Sequence, residues 1–124
     1  MQGIHGILLV FTGILHIMFG FMPVVYQREW QWFVRYKLWS QVGLENDRAM
    51  AAFWFVVAGP FMIMIGLLLY ELETAGLDLP LSFGILFFLI SGIGAIMSPR
   101  SGFTLLLLPQ SIYYLVDALQ KLII

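Results

Sequence analysis

The chain contains no cysteine. That excludes disulfides, thiolate nucleophiles, Cys-ligated iron–sulfur clusters and c-type haem attachment. Charge is also scarce: 10% of residues are charged, with six Lys and Arg against seven Asp and Glu. A net charge of -1 with scattered cations offers no phosphate-tracking patch, so nucleic acid is excluded as a partner. Histidine occurs only at His5 and His16. On one helix these lie about 16 Å apart and cannot share an ion, so no metal site and no cofactor is expected. No Ser, His and Asp arrangement, glycine-rich phosphate loop or H-E-x-x-H signature is present, and no catalytic residue is assigned.

Apolar residues are abundant. They make up 61% of the 124 residues, and the mean hydropathy is +0.95. Such values lie well outside the range of soluble domains, and a bilayer core needs about 20 mostly apolar residues per helix. The expectation is an all-α, polytopic membrane protein, a single four-helix bundle over residues 1–124. Its transmembrane spans are expected at 3–26, 46–72, 80–97 and 103–124. The start lacks a basic n-region and a clear cleavage site, so the first apolar run is read as a retained helix.

Local chemistry supports these boundaries. Asn46 or Asp47 can cap the second span, and Gly59-Pro60 inside it predicts a kink. Pro80 suits a first helical turn, 98–102 reads as a short turn, and Pro109 should bend or interrupt the last helix. The long connection 27–44 carries Trp30, Trp32, Tyr36 and Trp39 among Arg28, Arg35 and Lys37. These residue types settle at headgroup level, which predicts an interfacial segment anchored by the aromatics. An ordered cap over the helix ends is the other reading.

Counting Lys and Arg sets an orientation. Arg28, Arg35, Lys37, Arg48 and Arg100 fall on one side, with Lys121 alone among Glu71, Glu73 and Asp78 on the other. The positive-inside rule then puts 27–44 in the cytoplasm and both termini outside.

Gly6, Gly13 and Gly20 recur at seven-residue intervals, as do Gly59 with Gly66 and Gly84 with Ser91. Small residues let backbones approach where lipid supplies no hydrophobic drive, so these seams are expected to pack within the bundle. Packing of the same faces against a second copy is compatible with that.

At about 100° per residue, His5, Thr12 and His16 form one narrow polar stripe on the first helix. Ile7, Val10, Phe11, Ile14, Met18 and Phe21 lie opposite, towards lipid. The last helix has a matching stripe of Gln110, Tyr114, Asp117 and Lys121, with Tyr113 on its flank. Depth matching in antiparallel spans pairs His5 with Asp117 and His16 with Gln110, with Thr12 near the tyrosines between them. Polar groups at membrane depth are expensive and count as functional candidates. The candidate intramembrane ligand site is therefore His5, Thr12, His16, Gln110, Tyr113, Tyr114 and Asp117. The plainer alternative is that these groups satisfy one another and the backbone.

The runs at 5–20 (HGILLVFTGILHIMFG), 51–69 (AAFWFVVAGPFMIMIGLLL) and 97–110 (MSPRSGFTLLLLPQ) resemble a family of small bacterial four-helix membrane proteins of unknown function. The resemblance implies a four-helix bundle in the bacterial inner membrane, and brings no activity or site residue with it. Small multidrug exporters differ, since they carry a Glu deep in the first helix where this chain has histidines. Glutathione-linked membrane enzymes differ as well, because their Arg and Asn-x-x-Glu pattern is not reproduced around 44–48.

Two functions are left open. One is a non-catalytic accessory subunit or a lipid- or apolar-ligand-binding bundle, partnered by membrane lipids and by its own copies or a larger complex. The other is an intramembrane enzyme or proton-coupled transporter using His16, Asp117, Gln110, Thr12 and Tyr114.

Overall fold

The computed structural model describes residues 2–21 and 47–124, with side chains at 47–52 and 103–104 left aside. The interfacial segment 27–44, with Trp30, Trp32, Tyr36 and Trp39, lies outside the described residues. Those residues hold four α-helices and no strand: α1 (Ile4–Phe21), α2 (Asp47–Thr74), α3 (Leu81–Met97) and α4 (Leu108–Ile123).

The α1 segment and 53–74 of α2 are long and apolar enough to cross a membrane. α3, at 17 residues, is a shorter apolar helix. α2 runs without a break through Pro60 over 28 residues.

The last span, expected to be bent or interrupted at Pro109, is divided: a π-helical turn (Phe103–Leu107) precedes α4. Pro109 sits in the first turn of α4. It has no N–H for the carbonyl four residues back, and its ring crowds that carbonyl. A wider turn ahead of it relieves the conflict, as π-bulges do inside helices.

The end of α2 is shaped by Gly76, whose φ of 72° is open to glycine at little cost. The Leu77 N–H donates to the Leu72 carbonyl at 3.0 Å and the Gly76 N–H to the Glu73 carbonyl at 3.2 Å. This bond pair is a Schellman stop. It turns the chain through Leu77 and Asp78 towards Pro80, which precedes α3.

Two compact units divide the chain: Met1–Leu9 with Ile65–Ile124, and Val10–Met64. In the first, Gly6 lies so close to α2 that a Cβ on it would stand 2.5 Å from the Gly66 carbonyl oxygen. α3 packs along α4 and the π-turn, and a Cβ on Gly84 would meet the Tyr114 ring at 2.9 Å. Gly84 and Ser91 are both buried on α3, as their spacing anticipates.

In the second unit a Cβ on Gly13 would stand 2.7 Å from the Gly59 carbonyl oxygen. The heptad glycines of α1 thus meet those of α2 in reverse order, and the small-residue seams pack within one chain. Of the bulky face expected on α1, Ile7, Phe11, Ile14, Met18 and Phe21 are exposed and Val10 is half-buried; on α4, Ile112, Val116 and Leu119 are exposed.

His16 in this unit stacks on Phe55, with ring centroids 3.9 Å apart at 20°. Stacked rings contribute about 0.5–1.5 kcal/mol beyond their buried area. His16→Phe should therefore keep stability within about 1 kcal/mol, while His16→Ala should lose more than that. Equilibrium unfolding of the two variants in one detergent would check the order, and equal losses would contradict a packing role.

Candidate functional site at the start of the first helix

Polar side chains of the first unit gather where α1 begins. His5 is 4% exposed on the first turn of α1. Its Nε2 lies 3.0 Å from Asp117 Oδ2 and 4.0 Å from Glu73 Oε1. The expected pairing of His5 with Asp117 is thus present as a contact. Lys121 Nζ reaches the same Asp117 oxygen at 3.2 Å from one turn further along α4. The ring centroids of Tyr113 and Tyr114 stand 4.7 and 5.1 Å from the imidazole. The Tyr114 hydroxyl donates to the Pro80 carbonyl at 3.3 Å.

Glu73 is the residue that sequence reading placed only among the outer acids. Its side chain is 7% exposed, and its two oxygens accept the backbone N–H groups of His5 at 3.2 Å and Gly6 at 3.4 Å. The first N–H groups of a helix have no intrahelical partner and attract negative charge. Glu73 supplies both needs for α1 from another helix. One signal was available in the sequence: an acid in the last turn of a helix opposes that helix's own dipole, so a partner elsewhere is worth seeking.

A pocket of about 430 Å³ opens beside this cluster. Gln2, Ile4, Glu73, Asp78, Tyr113, Asp117 and Lys121 are among its lining residues. Its size falls in the usual range of ligand pockets, about 300–1,000 Å³. Among the described residues no group of three or more His, Cys, Asp or Glu side chains is placed to hold a metal ion.

The other candidates are placed as follows. Tyr113 and Tyr114 join His5 and Asp117 in the cluster, with Tyr114 almost wholly buried. Gln110 is half-buried two turns before Asp117 on α4. Thr12 and His16 belong to the other unit, Thr12 buried and His16 against Phe55. The cluster that forms is therefore His5, Glu73, Tyr113, Tyr114, Asp117 and Lys121.

Fold and site together define a chain that is helical and without strands among its described residues, with a buried histidine–carboxylate cluster beside a pocket. The chain belongs to the family of unknown function DUF6463, whose sequence pattern matches residues 2–120. No curated protein and no solved structure matches it.

Proposed function

We propose that this protein is a small, four-span integral membrane protein without catalytic activity, which holds a ligand in the pocket beside His5, Asp117 and Glu73. The observation that carries the reading is that pocket: about 430 Å³, with charged and aromatic walls in a chain of which 61% is apolar. Ionisable groups this costly to bury are retained where they serve a pathway or a ligand.

Membrane insertion is supported by the two long apolar helices and by the side chains that no protein covers. Phe11, Met18, Leu68, Ile90 and Ile93 are each more than half exposed. Large apolar side chains exposed in each unit call for a non-aqueous partner, and lipid tails are the partner that fits helices of this length. The 17 residues of α3 reach the lower end of spanning length. The π-turn and α4 together give the fourth crossing. The location follows as a bacterial inner membrane, with the pocket on the outer side, since Lys and Arg concentrate at the other end.

The cysteine-free chain makes the topology directly testable. Single cysteines replacing Gly76 and Ser101 are expected to react oppositely with an impermeant maleimide on intact cells, Gly76→Cys labelling and Ser101→Cys staying protected. Labelling of Ser101→Cys alone would reverse the orientation, and recovery of the protein in a carbonate wash would overturn membrane insertion.

A second reading has one specific observation in its favour. His5 stands between two carboxylates, 3.0 Å from Asp117 and 4.0 Å from Glu73, an arrangement suited to handing a proton across the site in a transporter or intramembrane enzyme. Proton flux in liposomes that is abolished by Asp117→Asn would favour it over ligand holding.

A further inference from the structure

We infer that the pocket binds a primary alkylammonium group, presented by an aminoalkyl lipid headgroup or by a free amine. This rests on the pocket being a ligand site and names the chemistry it selects.

The places an anion would take are filled from within the protein. The N–H groups of His5 and Gly6 at the start of α1 already bond both oxygens of Glu73. Among the described residues of the lining the cation is Lys121, and it is tethered to Asp117 at 3.2 Å. A phosphate or carboxylate entering the pocket would have to displace Glu73 from the α1 start or share Lys121 with Asp117, beside carboxylates that repel it.

Acceptors for a cation are in surplus. Among the described residues the lining carries Glu73, Asp78 and Asp117 against Lys121. His5 and Lys121 both approach Oδ2 of Asp117, and 30% of that side chain is still accessible. Asp78 is exposed on the loop that follows the Gly76 stop. Tyr113, half-exposed in the same lining, offers a ring face on which an ammonium is attracted by the π-quadrupole.

Among the described residues Glu73, Asp78 and Asp117 form no metal-holding group. Separate acceptors suit a group with several N–H donors on a carbon stem. Ile4 and Leu77 line the same pocket and provide apolar contact for that stem.

The test uses the full chain in phosphatidylcholine nanodiscs containing a minor fraction of either phosphatidylethanolamine or phosphatidylglycerol. Native mass spectrometry reads the retained lipid, and titration with free ethanolamine or inorganic phosphate forms a second arm. Retention of phosphatidylethanolamine over phosphatidylglycerol assigns a headgroup source, and ethanolamine binding without lipid preference assigns a free amine.

In either case Asp117→Asn should weaken binding about tenfold, the effect of losing one charge-assisted hydrogen bond. Asp117 helps hold the fold, so Asp78→Asn, on an exposed loop, provides a variant safe for folding and should weaken binding about threefold. Lys121→Gln removes the competing cation and should strengthen binding. Preference for phosphatidylglycerol or phosphate, weakened by Lys121→Gln, would overturn the ammonium assignment and leave the ligand site standing. No binding of any of the four probes would remove the ligand-site reading itself.

Discussion

Gly6→Leu is expected to prevent α1 from seating on α2, with loss of the folded state by more than about 3 kcal/mol, beyond ordinary overpacking. The reason is geometric. A Cβ at this position would stand 2.5 Å from the Gly66 carbonyl oxygen and closer still to the Tyr70 backbone nitrogen. Backbone cannot swing aside as a long side chain can, so the helices must separate. Separation would also pull the His5 and Gly6 N–H groups away from Glu73.

Gly6→Ala should show the same sign at smaller size, about 1–3 kcal/mol. Gly92 on α3 supplies the opposite case, because a Cβ there meets nothing within 4 Å. Gly92→Ala should stabilise by about 0.5–1 kcal/mol through the entropy that glycine loses on folding. Unfolding in mixed micelles would read all three. Equal stability of Gly6→Leu and the parent chain would refute the close approach of α1 and α2.

Glu73→Ala should cost about 3–5 kcal/mol, the range for removing one partner from a buried charged network. The carboxylate satisfies two backbone N–H groups that have no other helical partner, and it offsets the positive end of α1 while lying 4.0 Å from His5. Glu73→Gln retains an acceptor but loses the charge and brings N–H donors to face other donors, so it should recover only part of the loss. Lys121→Met is the contrast, because that pair has a half-exposed cation, and such pairs contribute about 0–1 kcal/mol. Amide exchange at His5 and Gly6 would localise the effect: both should exchange faster in Glu73→Ala and keep their parent rates in Lys121→Met. Unchanged exchange in Glu73→Ala would mean that the carboxylate does not cap α1.

The pairing of His5 with Asp117 was legible because both lie at matching depths on helices whose polar residues form narrow stripes. Helical periodicity carries that information without any tertiary knowledge. The glycine seams were legible for the same reason: Gly6, Gly13, Gly59 and Gly66 repeat at a spacing that holds them on one face. Glu73 escaped notice because its role depends on where α2 ends relative to the first turn of α1. The two residues are 68 positions apart in sequence, and no local pattern reports on that distance. The π-turn escaped too. Pro109 announces that a hydrogen bond is lost, but whether the chain bends, breaks or widens by one residue depends on what packs beside it.

By itself the sequence determined apolar helices with bulky faces, glycine seams and sparse polar stripes, because each of these follows from residue type and a period of 3.6. Only the tertiary structure decided that the α1 start would be capped by an acid from α2. It also decided that Asp117 would be shared between His5 and Lys121, and that the space beside them would remain open as a pocket. Those outcomes depend on angstrom-scale spacing between helices, which the backbone contacts at Gly6 and Gly66 set and which no single helix encodes.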